Sequence, residues 1–125
     1  DEGWLLNRGV TLYELVGAAD CLISDISSII ADFLLLDRPL ILLFEDIEEY
    51  ERSRGFSFNP VTDYLPTKVA KDFTEFQRAL AAVLKGDDHC TNERAALRDL
   101  FFAFQDANST DRILELVFEE RRSLT

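Results

Sequence analysis

Apolar runs separated by short polar turns predict an α/β fold for this chain. The run from Cys21 to Ser24 shows no alternation of apolar and polar positions, which is typical of a strand covered on both faces of a parallel sheet. Ser27 to Leu36 reads as a helix with a wide apolar surface, and Asp37-Arg38-Pro39 ends it because the residue before proline disfavours helix. Leu40 to Phe44 is a second continuous apolar strand. Together these elements predict a βαβ unit with a right-handed crossover.

The flanking segments are predicted to be mostly helical. Upstream, Trp4 to Asn7 is interpreted as the end of a strand, and Thr11 to Ala19 as a helix with a Thr11–Glu14 capping box. About three or four parallel strands make a thin sheet, so we expect residues 1–125 to be a single domain that is part of a larger protein. After the second strand we predict a short acidic helix or turn at Glu45–Glu51, a loop with aromatic anchors at Arg52–Asn59 and an edge strand at Thr67–Ala70. Three helices are predicted to follow. The first is Phe73–Leu84, capped by Asp72 and stopped by Gly86, the second runs from Thr91 to about Gln105, and the last is Asp111–Arg122.

Charge and composition exclude several classes of partner. The formal charge of −11 at pH 7 argues against nucleic acid and against an anionic membrane, because both require a basic surface. Since no apolar run is long enough to span a membrane and no signal peptide is evident, we expect a soluble, cytoplasmic protein. The acidic run from Glu45 to Glu51 is interpreted as a solvated helix face.

Two cysteines and one histidine are too few for a zinc-ligand set, and no metal or other cofactor is expected. Cys21 begins an apolar run and is predicted to be buried. Cys90 follows His89 in a polar turn, where a nucleophilic thiol is one interpretation. We favour an incidental pair, because adjacent side chains seldom face each other and no third orienting group is evident.

The polar residues between the first strand and its helix form the main candidate site. Ligands of open α/β sheets bind beyond the carboxyl ends of the strands, where this turn lies. Backbone N–H groups at the start of the helix suit an anion, and the Ser27 and Ser28 hydroxyls add further donors for a phosphate. Asp32 lies one turn deeper on the same helical face, where its carboxylate could accept hydrogen bonds from ribose or glycerol hydroxyls.

The same residues also have a structural interpretation. Asp25 would cap the helix with no ligand present, because aspartate and serine are ordinary N-cap residues. A buried Asp32 needs a hydrogen-bond partner, and Ser28 or a backbone donor could supply it. Local chemistry alone leaves both interpretations open.

The order of motifs along the chain resembles the C-terminal part of the CDP-glycerol glycerophosphotransferases, bacterial enzymes that build or prime wall teichoic acid. The resemblance extends from about Leu12 to Leu116. It rests on Asp20, Ser24-Asp25-Ile26-Ser27-Ser28, Asp32, Arg38-Pro39, Asp46-Ile47-Glu48-Glu49-Tyr50, Arg54-Gly55-Phe56 and Asp106-Ala107-Asn108-Ser109-Thr110-Asp111-Arg112.

This resemblance implies a GT-B architecture in which the chain forms part of the Rossmann-like, donor-binding C-terminal lobe. Ser27 and Ser28 would contact the donor phosphates, Asp25 would shape the turn, and Asp32 would bind the donor's ribose or glycerol. A larger parent, peripheral on the inner face of the cell membrane, would transfer glycerol phosphate from CDP-glycerol to a lipid-linked acceptor. No catalytic residue is assigned, since the family's catalytic histidines lie upstream and His89 matches neither.

Departures from the family pattern leave the exact donor open. Ile26 stands in place of a tyrosine, Ala107 in place of a glycine, and Leu65-Pro66-Thr67 lacks a glycine. Two alternatives are kept: a GT-B transferase that uses a nucleotide sugar for surface polysaccharide, and a non-catalytic Rossmann-like interaction domain. The fragment alone is expected to be inactive and to expose an apolar face, which a homodimer would cover.

Overall fold

A computed structural model of the chain describes residues 2–25, 27–55 and 60–123. It contains a small parallel sheet flanked by helices, which confirms the predicted α/β class. In chain order the elements are α1 Glu2–Leu6, α2 Leu12–Ala18, β1 Leu22–Ser24, α3 Ile29–Leu34, β2 Leu40–Leu43, α4 Ile47–Ser53, a 3₁₀ turn Val61–Tyr64, β3 Val69–Ala70, α5 Phe73–Leu84, α6 Thr91–Phe101 and α7 Ser109–Ser123.

The sheet has three parallel strands in the order β1-β2-β3. Ile23 of β1 lies opposite Ile41, and Leu42 lies opposite Val69 of β3. Since β1 and β2 are joined through α3, the βαβ unit is present as predicted. The central strand is the buried one, because Leu40, Ile41 and Leu42 are at most 4% exposed. The prediction of an edge strand near Thr67–Ala70 is also confirmed.

The prediction that β1 is covered on both faces is wrong. Ile23, at the middle of the strand, is 48% exposed, and its neighbours Leu22 and Ser24 are only half-buried. Among the residues described, β1 has one neighbouring strand and lies at the edge of the sheet. The continuous apolar run of β1 therefore forms a strand with one uncovered face in this chain, although such runs are typical of strands covered on both faces.

Two helices begin at the capping residues expected from the sequence. In α2 the Glu14 amide donates to Thr11 Oγ1 at 3.2 Å, and the Thr11 amide donates to Glu14 Oε2 at 2.7 Å. The hydrogen bond from the Thr11 amide, with a second from the Thr11 hydroxyl at 2.9 Å, lowers the pKa of Glu14 below its ordinary value. In α5 the Glu75 amide donates to Asp72 Oδ1 at 2.8 Å. That helix ends where Gly86 takes a φ of +76°, a conformation that glycine adopts without strain.

The N-terminal segment is helical, so the prediction of a strand end at Trp4 to Asn7 is wrong. The Asn7 amide donates to Gly3 O at 3.1 Å, which closes a helical turn. The Arg8 guanidinium lies 3.8 Å from the centre of the Trp4 ring, and Arg8 Nη1 contacts the Trp4 carbonyl at 3.4 Å. Side chains four residues apart are neighbours on a helical turn, so this contact favours helix over extended chain.

Other boundaries differ from the predictions in smaller ways. The acidic segment after β2 is a helix, α4, which extends to Ser53. Helix α6 ends at Phe101 instead of near Gln105, because Phe102 takes an extended conformation. The predicted aromatic anchors Phe56 and Phe58 lie outside the described residues.

The core joins α3, β2 and α6. Phe33 and Leu34 are fully buried, and they pack with Leu40 of β2 and Leu97 of α6. Half-buried side chains complete this core: Val16, Ala19, Leu22, Ile30, Leu36 and Tyr64. The predicted wide apolar surface of α3 is therefore confirmed, and α3 is fixed between the sheet and α6.

An ion-pair cluster lies at the end of this core. Arg94 is 1% exposed and forms a bidentate pair with Asp88, with contacts of 2.8 Å and 2.5 Å. Its Nε is 3.5 Å from Asp37 Oδ1. Asp37 also pairs with Arg98 at 3.7 Å, and it has a φ of +48°. The Arg94 guanidinium lowers the pKa of Asp88, so the pair is ionised over the ordinary pH range.

Apolar side chains are exposed near the two ends of the chain, so the expected exposed apolar surface is present. Along α7 these are Ile113, Leu116 and Val117, which are 60%, 64% and 47% exposed and lie at helical spacing. Near the other end, Leu12 and Leu15 of α2 are about half exposed. None of the helices in residues 2–25, 27–55 and 60–123 is long and apolar enough to cross a bilayer.

Candidate functional site

The residues predicted to bind phosphate lie beyond the carboxyl end of β1. That strand ends at Ser24, and Asp25, Ser27 and Ser28 precede the first residue of α3. All three side chains are exposed. None of them forms a hydrogen bond with another residue in the described part of the chain. Their oxygen atoms are therefore open to solvent or to a ligand.

The structure corrects the prediction that Asp25 caps this helix. Ser28 is the N-cap residue, in a right-handed helical conformation and with no side-chain capping bond. The first turn is closed by the backbone, since Ile30 and Ala31 donate to Ser27 O and Ser28 O at 3.1 Å and 3.0 Å. The reason is geometric: Asp25 lies too far before Ile29 for an N-cap, which directly precedes the first helical residue.

Two amides at the start of α3 have no hydrogen-bond partner among the described residues. The N–H groups of Ser28 and Ile29 donate to none of the residues that the structure describes. Because α3 has only six residues, its dipole adds little to the binding of an anion. Any phosphate held here would depend on these two N–H groups and on the neighbouring hydroxyls.

Asp32 has a partner that the sequence did not suggest. It is half-buried in the first turn of α3, and its Oδ2 accepts a hydrogen bond of 3.4 Å from the Tyr13 hydroxyl of α2. The predicted partners, Ser28 and a backbone donor, are not used. Tyr13 itself is 66% exposed, so its ring lies at the surface beside α3.

Arg38 fixes the position of α2 relative to α3. Its Nη1 donates to the carbonyl oxygens of Gly17 at 2.9 Å and Ala19 at 2.6 Å. These are carbonyls at the C-terminal end of α2, which an arginine side chain satisfies well. The turn after α3 thereby holds the end of α2, and Tyr13 stays next to Asp32.

A separate cleft lies elsewhere on the sheet. It has a volume of about 400 Å³ and follows the open edge of β3 between α4 and the start of α6. Its lining includes the exposed Glu48–Lys71 ion pair, with its 2.8 Å contact, and the Cys90 side chain. None of the four predicted site residues lines it.

The cysteines and the histidine form no thiol–imidazole pair. His89 Nε2 lies 2.7 Å from Asp87 Oδ1, and Cys90 Sγ accepts a contact of 3.6 Å from Thr67 Oγ1. Cys21 is half-buried instead of buried as predicted, and burial raises the pKa of its thiol. These groups match the interpretation of His89 and Cys90 as an incidental loop pair.

The C-terminal motif forms a local clamp. Arg112, in the first turns of α7, makes a bidentate pair with Asp106 at 2.7 Å and 3.2 Å. Its guanidinium also lies 3.9 Å from the centre of the Phe104 ring. One edge of the Arg112 guanidinium pairs with Asp106, and one face stacks on the Phe104 ring. The motif therefore orders the start of α7.

Comparison with known proteins places the motif order in a family. The sequence profile of CDP-glycerol:poly(glycerophosphate) glycerophosphotransferase matches residues 6–119 of the chain. The chain belongs to this glycerophosphotransferase family. The match covers the βαβ unit, the turn at the end of β1 and the Asp106–Arg112 clamp.

Individual relatives of the chain are named as teichoic acid primases, transferases and polymerases. It is 28% identical over 112 residues to the teichoic acid ribitol-phosphate primase of Bacillus spizizenii, a match that covers 90% of this chain and 28% of that protein. It is 31% identical over 106 residues to the teichoic acid glycerol-phosphate transferase of Staphylococcus aureus, covering 81% and 26%. It is 29% identical over 107 residues to the teichoic acid poly(glycerol phosphate) polymerase of Bacillus subtilis, covering 85% and 14%. The chain thus spans about a quarter or less of these proteins.

Two residues were missed at the level of sequence, one beside Asp32 and one in the ion-pair cluster with Asp37 and Asp88. Tyr13 lies 19 positions before Asp32, and no local pattern links the two. Arg94 carried a usable signal, because it shares a helical face with the apolar Leu97 and follows the acids Asp87 and Asp88. An arginine on an apolar face with an acid in the preceding turn predicts a buried pair.

Proposed function

We propose that this chain is the donor-binding part of a larger glycerophosphotransferase, called the parent below, which acts in the synthesis of teichoic acid. The observation that carries the proposal is the family match over residues 6–119. The parent would have a GT-B architecture, with this chain in its C-terminal lobe. Its partners would be a cytidine diphosphate donor and a lipid-linked acceptor at the inner face of the membrane.

In the proposed reaction, an acceptor hydroxyl attacks the β-phosphorus of CDP-glycerol. A new bond forms between the acceptor oxygen and the β-phosphorus, and the bond from that phosphorus to the bridging oxygen breaks. The products are the glycerol phosphate ester and CMP, and the acceptor proton passes to a base of the parent. Negative charge develops on the leaving CMP, where hydrogen-bond donors lower the barrier.

The turn after β1 supports the role of Ser27 and Ser28 in holding the donor phosphates. It offers two exposed hydroxyls and the N–H groups of Ser28 and Ile29, which have no partner in the described structure. Donors of this kind bind phosphate oxygens without a positive side chain, which suits so acidic a chain. Asp25 would shape the turn.

Asp32 lies one helical turn from Ser28 and would bind donor hydroxyls. An ionised carboxylate accepts hydrogen bonds and donates none, and the two hydroxyls of a ribose or a glycerol can donate to it. Tyr13 occupies Oδ2, and Oδ1 has no partner among the described residues. That oxygen is left for the donor.

The polyol of the donor is the open choice within this proposal. Relatives named for ribitol phosphate and for glycerol phosphate match the chain about equally, at 28% and 31% identity. The experiment is to measure release of the nucleotide product by the purified parent in the presence of a lipid-linked acceptor: CMP from CDP-glycerol and CDP-ribitol, and UDP or CMP from the corresponding nucleotide sugars. Turnover of either CDP-polyol above the sugars is expected.

The same assay decides between the proposal and its alternatives. Faster turnover of a nucleotide sugar would make the parent a polysaccharide transferase. Absence of turnover with every donor, together with absence of donor binding, would favour a non-catalytic interaction domain. The parent with the Ser53→Ala change, on exposed α4, serves as a matched control that keeps the wild-type rates.

A further inference from the structure

We infer that Tyr13 is a positioning residue, which orients Asp32 so that one carboxylate oxygen is presented to a donor diol. The inference rests on the proposed function of Asp32 and extends it to a residue of α2. The contact that supports it is the hydrogen bond of 3.4 Å from the Tyr13 hydroxyl to Asp32 Oδ2. The shared chemistry of the ligand is a pair of vicinal hydroxyls, from either the ribose or the glycerol of the donor.

The geometry around Asp32 makes Tyr13 the side chain that controls it. Asp32 is half-buried, and within the described structure the Tyr13 hydroxyl is the only side-chain donor to its carboxylate. An aspartate rotates freely about χ2, because the terminal torsion is broad and roughly two-fold. A donor that holds Oδ2 therefore selects the direction in which Oδ1 points.

The support of α2 explains how an exposed tyrosine holds a constant position. The helix begins at the Thr11–Glu14 capping box, and its C-terminal carbonyls accept two hydrogen bonds from Arg38. Val16 packs against the core of Phe33 and Leu34. With both ends and one face fixed, the Tyr13 ring stays beside α3 although 66% of its surface is exposed.

The exposure itself indicates a role at a surface that a ligand approaches. A tyrosine that served packing alone would bury its ring, since most of its stabilisation comes from apolar contact. Here two thirds of the residue's surface is exposed, and the hydroxyl contacts Asp32 at a length that exceeds the usual range for O–H···O bonds. Such bonds in a site without its substrate often shorten when the substrate binds.

The test is steady-state kinetics of the parent with the Tyr13→Phe change, which removes only the hydroxyl. The KM for CDP-glycerol is expected to rise about fivefold with little change in kcat, since a hydrogen bond remote from the reacting phosphorus contributes to ground-state and transition-state binding alike. Ser53→Ala, on α4, is the control and should leave the KM unchanged. Melting temperatures of all variants verify that they are folded.

A double-mutant cycle with Asp32→Asn separates positioning from a general disturbance of α2. Asp32→Asn alone should raise the KM, and Tyr13→Phe should add nothing further in that background. Independent, multiplicative effects would overturn the inference while leaving the role of Asp32 intact. If Asp32→Asn leaves the KM unchanged, the proposed site at Asp32 fails and the inference fails with it.

Competition with two donor analogues identifies which hydroxyls are bound. One analogue lacks the ribose 2′-hydroxyl, and the other is the CDP ester of 1-propanol, which lacks both glycerol hydroxyls. Wild-type parent should bind one of them more weakly than CDP-glycerol, and Tyr13→Phe should reduce that preference about fivefold. A preference that Tyr13→Phe leaves at its wild-type value would contradict the positioning role.

Discussion

Replacing Arg94 with alanine is expected to lower the free energy of unfolding of the chain by about 3 kcal/mol. Arg94 is 1% exposed, and it carries the bidentate pair with Asp88 and the weaker pair with Asp37. Its removal leaves Asp88 without its ionic partner and Asp37 with only the longer Arg98 contact, and it opens a void at a buried position. The loss is placed at the lower end of the range for broken buried pairs, because Asp88 keeps some contact with water.

Urea denaturation followed by circular dichroism measures this change. Arg112→Ala is the matched control, because Arg112 has the same bidentate geometry with Asp106 in an exposed setting. Its removal should cost much less, since exposed pairs contribute little. If the Arg94→Ala chain is unfolded without urea, the Arg94→Lys chain takes its place in the comparison. Lysine keeps the charge but not the bidentate geometry, so that chain should be folded, with a free energy of unfolding below that of the wild type. Equal effects of Arg94→Ala and Arg112→Ala would contradict the account of this cluster.

The pH dependence of stability gives an independent view of the same pair. The folded pKa of Asp88 is below its ordinary value because of the Arg94 hydrogen bonds. A carboxylate with a lowered pKa stabilises the fold above its ordinary pKa of about 3.9, and this contribution disappears as the pH falls through the folded pKa. Wild-type stability should therefore fall below about pH 4, and the Arg94→Ala curve should be flatter there.

The second large effect is expected at the turn after β1. The double change Ser27→Ala and Ser28→Ala in the parent should lower kcat/KM for the CDP-polyol donor about 100-fold, since each hydroxyl lost from a charged phosphate costs about tenfold. Stability should be unaffected, because neither serine side chain forms a hydrogen bond with the described residues. Kinetics and melting temperature together separate loss of donor binding from loss of fold.

Ser53→Ala is the control for this experiment. Ser53 lies on α4, and among the described residues its hydroxyl contacts only the Tyr50 carbonyl, at 3.4 Å. Its rate constants should match those of the wild type. If kcat/KM of the Ser27/Ser28 double variant is within about twofold of the wild-type value, the two hydroxyls are not part of the donor site.

The sheet and the longer helices were predictable because their signals are local. The strands at residues 22–24 and 40–43 coincide with apolar runs bounded by turns. Helix α5 was predicted with both ends correct, since Asp72 and Gly86 act through their own backbone neighbourhood. The family was also predictable, because the order of several short motifs is specific although each alone is weak.

The features that were missed depend on contacts between distant parts of the chain. The short Trp4–Asn7 segment has too few residues for periodicity to distinguish helix from strand, and the Trp4–Arg8 contact favours the helix. The Tyr13–Asp32 and Arg94–Asp37 pairs depend on how α2, α3 and α6 pack. The position of the helix start decided the role of Asp25, and boundaries are the least predictable part of an element.

The central claim is that a CDP-activated donor binds at the turn between β1 and α3. Hydrogen–deuterium exchange of the parent, with and without saturating CDP-glycerol and in the absence of acceptor, tests it directly. The amides of Ser28 and Ile29 have no hydrogen-bond partner in the described structure, so they should exchange rapidly until a phosphate accepts from them. The account predicts that the peptide covering residues 25–32 becomes protected by the donor. Protection confined to other peptides, such as those lining the cleft beside β3, would contradict it.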